Sequence, residues 1–332
     1  MKNQRVALMT MAIVMLFVVA QVFVKKSPLG DRHHFLLAHN LAPEHPVHLG
    51  MELFAKELLE KSDGRMRVTI YPNGQIGTEK EVLELVQLGA ITMTKVSTLS
   101  LESFSPLIGI LNLPFLFRDR AHYFAVLDST VGEELLVSSV PQRLRGITYY
   151  DAGDRSFYAA KPIMTPDDVV GLKIRVMENA TAIRMMQLLG GSPTPMPYGE
   201  VYTALQQGVI DGAENNLSAL TVNRHGEVSK HYSLVQHIFA PDVLVLSEAA
   251  WQSLDTQDQV IVREAAEASK VYQRELWAQK MEQYRKEATE KLQVKIHTPD
   301  RRPFMDKVAP LHSEFAQKGE DYERIMGAIK SL

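Results

Sequence analysis

The chain has 332 residues, of which 45% are hydrophobic and 23% charged, with a formal net charge of -3 and no cysteine. The balance is globular, and the length exceeds what one hydrophobic core usually supports, so two lobes are expected. Without cysteine there is no disulfide, thiolate catalysis, cysteine-held zinc or lipidated cysteine, and without a long basic run nucleic acid is not a partner.

Lys2 and Arg5 precede an apolar run from Val6 to Val24, and Lys25 and Lys26 follow it. A basic start before one apolar segment is an export signal. Val18 and Ala20 offer small residues for cleavage, yet the run is long enough to persist as a membrane anchor. Residues 1–27 are therefore expected to be a signal peptide or an N-terminal anchor. Either way the rest of the chain lies outside the cytoplasm, in the periplasm.

HFLLAH, ending at His39, is strand-like, and LAPEHPVH after it is a proline-broken turn. MELFAKELLEKSDG is a helix, with Leu49, Leu53, Ala55 and Leu58 as its apolar face and Gly64 as its stop. RMRVTIYP alternates as a strand does, EKEVLELVQLG is a helix, and AITMT is a short buried strand. This βαβα order implies a mostly parallel sheet covered by helices. Thr165-Pro166-Asp167-Asp168 has the chemistry of a helix start. LKIRVM is a strand, ATAIRMMQLLGG a helix, SPTPMPYG a rigid loop, EVYTALQQG a helix and VIDGAEN a strand. EVLELVQLGAIT from Glu81 and EVYTALQQGVID from Glu200 agree at five of twelve places, which fits two similar α/β lobes. In sheets of this kind ligands sit beyond the carboxyl ends of the strands.

Between Asp242 and Pro299 there is neither proline nor glycine. Thr256 and Gln259 can form a capping box, and Ile261, Ala265, Ala268, Tyr272 and Leu276 recur at helical spacing. One long helix over about 256–292 is expected. The stripe lacks sustained leucine or isoleucine at heptad positions, so a brace across two lobes fits better than a coiled-coil seam.

Motifs for an acyl nucleophile, a metalloprotease, a phosphate loop or a dinucleotide are absent, and no cofactor or enzymatic activity is expected. His33, His34, His39, His45 and His48 are dense but match no standard metal spacing. Arg155 and Arg175 are more telling, because each stands in or beside an apolar strand. Arg175 could be the wet face of an edge strand, and Arg155 could pair with Asp151 or Asp154. Two guanidinium forks facing one cleft would instead make a carboxylate site. Asn215, at a strand end, can donate to a ligand oxygen or simply make a turn. Glu79, at a helix start, and Lys95, just after a strand, are open to a surface role or a ligand role.

YPNGQIG followed by EVLELVQLGAITMT, then LNLPFLFRD, GLKIRVMEN and MPYGEVYTALQQGVIDGAEN, closely resemble the substrate-binding subunit of tripartite ATP-independent periplasmic (TRAP) transporters, the DctP-like family. The resemblance runs from about residue 33 to 325. It implies an α/β, two-lobed periplasmic binding protein with mixed sheets, an interlobe ligand cleft and a long helix spanning both lobes. Lobe I would comprise 31–152 plus about 241–280, and lobe II 153–240 plus about 281–328. By the same resemblance Arg175 forms the principal salt bridge to a substrate carboxylate, Arg155 is the second arginine, and Asn215 orients the carboxylate or Arg175. His39 or Asn40, with Glu79, Lys95 and Ser97, should line the first lobe, with Glu178, Asn179 and Tyr198 as neighbours. Many relatives have proline where this chain has Asn216. A sialic-acid branch has glutamate where this chain has Ser97, which disfavours that ligand. YDAGDRSFYA, MTK and TEKE resemble the branch that binds sugar acids such as glucuronate or galacturonate. A C4-dicarboxylate is the alternative, although Glu79 would repel a second carboxylate. The implied partners are the small and large integral membrane subunits of a gradient-driven permease, served by a monomeric binding protein.

Overall fold

The computed structural model describes residues 33–332, so the N-terminal apolar segment lies outside the described residues. Among them no helix is long and apolar enough to cross a membrane. The chain opens with β1 (His33–Ala38), α1 (Pro46–Lys61), β2 (Met66–Tyr71), α2 (Glu79–Gln87), β3 (Met93–Ser97) and α3 (Thr98–Leu101). Next come α4 (Arg120–Leu127), α5 (Thr130–Leu136), β4 (Leu144–Tyr150), β5 (Arg155–Ala159), β6 (Lys173–Val176) and α6 (Ala180–Leu189). There follow β7 (Ser192–Pro195), α7 (Val201–Gln206), β8 (Gly212–Asn215), α8 (Leu217–Thr221), β9 (His231–Ile238) and β10 (Asp242–Ser247). The chain ends with α9 (Glu248–Gln252), α10 (Thr256–Lys286), β11 (Lys295–His297), α11 (Arg302–Ala316) and α12 (Glu320–Ser331).

Two sheets result, ordered β2-β1-β3-β10-β4 and β11-β9-β5-β8-β6-β7. Both are mixed, because β10 returns antiparallel to β3 and β4, and β5 lies antiparallel to β8 and β9. A mostly parallel sheet was the expectation from βαβα order alone. The late strands that break it come from distant sequence, which local order does not reveal. The chain passes between the sheets at 151–154 and again at 239–241.

Several local expectations shift for identifiable reasons. Pro46 does not break a turn but occupies the first helical position of α1, where its missing N–H costs nothing. The buried face of α1 is Val47, Met51, Phe54 and Leu58, so Leu58 alone of the expected set lies on it. β3 begins at Met93, not Ala90, which places Lys95 inside a wholly buried strand. SPTP is no loop but β7, paired in parallel with β6; Pro193 and Pro195 fit there because β7 is an edge. Thr165 and Asp168 do form a reciprocal capping box, on a short 3₁₀ turn.

The long helix is present as α10, extended by one π-helical turn over Glu287–Lys291. Its cap is Asp255, which accepts from the Asp258 N–H, not the expected Thr256. Its buried side includes Ile261, Val262, Ala265, Ala266, Ser269, Gln273 and Trp277, whereas Tyr272 is exposed. The apolar stripe misleads because buried positions within it, Ser269 and Gln273, are polar. Ser269 bonds the Tyr150 hydroxyl at 2.9 Å. Gln273 accepts from Asp151 N and donates to Asp151 O, both at 2.8 Å. Gln273 thereby ties α10 to the segment where the chain leaves the first sheet. Gln273→Ala should cost about 2–3 kcal/mol by orphaning two buried backbone groups, read from urea denaturation.

Candidate ligand-binding site

A cavity opens where carboxyl ends of strands from both sheets meet, as expected for open α/β sheets. Asn40 follows β1, Lys95 and Ser97 come from β3, and Asp242 opens β10. From the other sheet Arg155 opens β5, Arg175 lies in β6, Asn215 ends β8, and Tyr198 follows β7. Glu79, the first residue of α2, completes it. This inner chamber measures about 60 Å³. It adjoins an outer chamber of about 300 Å³ through shared residues that include Asn40, Glu79, Arg175 and Tyr198.

Arg155 is buried, its charge is paired within the protein, and it still lines the chamber. Its Nε and Nη2 grip the Glu214 carboxylate at 2.5 and 2.8 Å, and Nη1 donates to Asn215 Oδ1 at 3.2 Å. Its partner is Glu214, not Asp151 or Asp154; Asp151 pairs instead with Arg120. Strand pairing explains this, since β5 lies beside β8 with Ser156 opposite Asn215. Burial alone would push Glu214 upward, but Arg155 and a bond from His237 outweigh it and hold the group at about 2. Arg155 is raised in turn, as Glu214 overcomes the desolvation.

Arg175 differs. It is 2% exposed on a strand flanked by β8 and β7, so it is not the wet face of an edge strand. Nε and Nη2 donate to Met196 O at 3.1 and 2.8 Å, and the guanidinium lies 5.9 Å from the Tyr198 ring centre. Among the described residues no carboxylate lies within 4.0 Å of it. Burial and the neighbouring charge of Arg155 lower its proton affinity. A buried cation lacking a counter-charge is costly, and an anion in the chamber would supply one.

Across the chamber Lys95 Nζ reaches Glu79 at 3.0 Å and Asp242 at 3.3 Å. Glu79 also accepts from the Ser100 hydroxyl at 2.6 Å. Burial opposes its charge, but Lys95 and Ser100 prevail and lower it, whereas burial raises Asp242 despite Lys95. Lys95 is itself raised, its two carboxylates overcoming desolvation. These fixed acceptors and donors suit a ligand bearing hydroxyl groups.

Other expected residues stand further off. Glu178 lines only the outer chamber. Asn179 caps α6 through Ala182 N. His39 lies behind Asn40, accepting from Leu41 N and contacting His48 at 3.0 Å, and burial together with Lys95 lowers it to about 2. Asn216, where a proline was noted in relatives, donates to Ala152 O and caps α8. Sequence reasoning missed Glu214 and Asp242, and weighed His45, which lines the inner chamber, only as a metal ligand. The first two carried a signal, as acids within otherwise apolar strands.

Comparison with known proteins places these observations in one family. Residues 37–318 match the DctP family, bacterial extracellular solute-binding protein family 7. The uncharacterized protein YiiZ of Salmonella typhimurium is 39% identical over 279 residues, covering 83% of this chain and 85% of YiiZ. A TRAP periplasmic solute-binding protein of Anaerococcus prevotii, solved with bound D-glucuronate, superposes with a TM-score of 0.88 at 36% identity, covering 90% of this chain and 98% of that one. One from Xanthobacter autotrophicus, solved with β-D-galacturonate, gives 0.87 at 38% identity, covering 90% and 99%. The chain therefore belongs to family 7 of the bacterial extracellular solute-binding proteins, the DctP family of TRAP solute receptors.

Proposed function

We propose that this protein captures a hexuronate, D-glucuronate or D-galacturonate, outside the cytoplasm and delivers it to the two membrane subunits of a TRAP permease. The observation that carries the reading is Arg175, a buried guanidinium with no carboxylate partner among the described residues, beside a chamber whose opposite wall is polar. The ligand carboxylate supplies its counter-charge, with Arg155 and Asn215 fixing the direction of approach. Asn40, Glu79, Lys95 and Ser97 meet the sugar hydroxyls, and Tyr198 covers the ring. The two sheets with their helices are the lobes, divided at 152/153 and 240/241, and they close on the ligand with α10 as brace. N-terminal residues 1–27 direct export to the periplasm. The protein binds its ligand without transforming it.

The bound hexuronates of the Anaerococcus and Xanthobacter proteins support the choice of ligand. So does Glu79, which is held ionised and would oppose a second carboxylate, as in succinate or malate. Calorimetry against uronates, aldonates and C4-dicarboxylates tests the assignment. Micromolar or tighter binding of a uronate, with succinate and malate at least about a hundredfold weaker, is expected from two or more charged hydrogen bonds. Strong succinate binding with no uronate binding would overturn it.

A further inference from the structure

Resting on the reading that two lobes close on a ligand, we propose that His45 is a positioning residue for capture: its ring joins the two walls of the inner chamber, and that link sets how long the ligand stays. On that reading the lobes divide at 152/153 and 240/241, so His45 belongs to one lobe and Ser218 to the other. His45 Nε2 lies 3.3 Å from Ser218 Oγ, across 173 residues of sequence. Both residues line the inner chamber.

The bond has a fixed direction. His45 caps α1, its Nδ1 accepting from Val47 N at 3.3 Å. Burial, with Lys95 and His48 nearby, lowers the ring to about 3, so near pH 7 it is neutral and its one proton sits on Nε2. Nε2–H therefore donates to Ser218 Oγ. The Ser218 hydroxyl donates in turn to Asn216 Oδ1 at 2.6 Å, and Asn216 Nδ2 donates to Ala152 O at 2.8 Å. The hydrogen bonds thus run one way, from the start of α1 through the start of α8 to the segment where the chain crosses between the sheets. In a buried chain of this kind each bond strengthens the next.

Both ring nitrogens are spent within the protein, so His45 offers the ligand no free polar atom. Its ring is instead held in place. It is buried and rests against Trp277 of α10, with ring centres 5.7 Å apart. Trp277 packs on Gly153 of the crossing segment, where a Cβ would come within 2.9 Å of the indole and where φ is +67°. His45 is therefore fixed where α1, α8 and the long helix meet. Opening the lobes draws α1 away from α8, so this bond is lost on opening and slows release of the ligand.

Stopped-flow fluorescence, with Trp277 beside His45 supplying the signal, gives association and release rates for D-glucuronate and, in parallel, for succinate. His45→Asn keeps a side-chain cap for α1 but is too short to reach Ser218. It should speed release about three- to tenfold, with association within about twofold of the parent. The ligand-free melting temperature should stay within about 2 °C. Ser218→Ala should do the same, and the double variant should release no faster than either single one. His45→Gln, whose amide nitrogen reaches the position of Nε2, should bring release back toward the parent rate. Unchanged release in His45→Asn and Ser218→Ala would overturn the link and leave the uronate reading intact. So would additive effects in the double variant, or His45→Asn restoring release better than His45→Gln, which would make the residue a helix cap alone. Succinate binding without D-glucuronate binding would overturn the uronate reading, and the same rate changes measured with succinate would still decide the link. Failure of both ligands to bind the parent would overturn both.

Discussion

Arg175→Ala should lower uronate affinity by about 30- to 1,000-fold, the effect of truncating one partner of a buried, hydrogen-bonded charge pair. The reason is specific to its surroundings. Arg155 already has Glu214 as counter-charge, whereas among the described residues Arg175 bonds the Met196 carbonyl and no carboxylate. On the proposed reading, the ligand is the anion that completes Arg175. Without ligand the substitution removes an uncompensated buried charge and two hydrogen bonds, opposing changes that should leave the melting temperature within a few degrees. Affinity and stability therefore separate, and the variant should remain folded while failing to bind. Affinity within a factor of two of the parent would contradict the assignment.

Glu214→Gln should act the other way, mainly on stability. The amide keeps the shape but leaves Arg155 buried with no counter-charge, a loss of about 3–5 kcal/mol. For a chain of this size that corresponds to a fall of very roughly 10 °C in melting temperature. The pH dependence has a definite sign. Glu214 titrates at about 2 in the folded protein against an ordinary 4.5. Its contribution is fully present above 4.5 and is lost as pH falls from 4.5 toward 2. The parent should lose stability across that window more steeply than the Gln variant. Thermal melts between pH 2 and 6 measure both, and identical profiles would show that the Arg155–Glu214 pair contributes nothing.

How far these features could be read from sequence depended on whether the cause was local. The length of α10 was legible because helix breakers are missing over its span. Its buried face was not, because Ser269 and Gln273 are inside for their hydrogen bonds to Tyr150 and Asp151, which come from another element. Arg155 and Arg175 stood out as cations in or beside apolar strands. The counter-charge of Arg155 did not, because which acid faces which base follows from strand neighbours. Glu214 meets Arg155 only because β8 lies beside β5, and Asp242 meets Lys95 only because β10 returns against β3. Asn179 has the residue type of a ligand contact but spends its Oδ1 on capping α6. The mixed character of both sheets has the same non-local origin.

Within the calorimetric panel, one pair of ligands tests the central claim most directly. D-galacturonate and D-galactose share the ring and its hydroxyls and differ only at C6, a carboxylate in one and a CH2OH group in the other. If Arg175 and Arg155 hold that carboxylate, D-galacturonate binds in the micromolar range or tighter, and D-galactose gives no heat at millimolar concentration. Equal affinity for the two sugars would show that the arginines do not anchor the ligand.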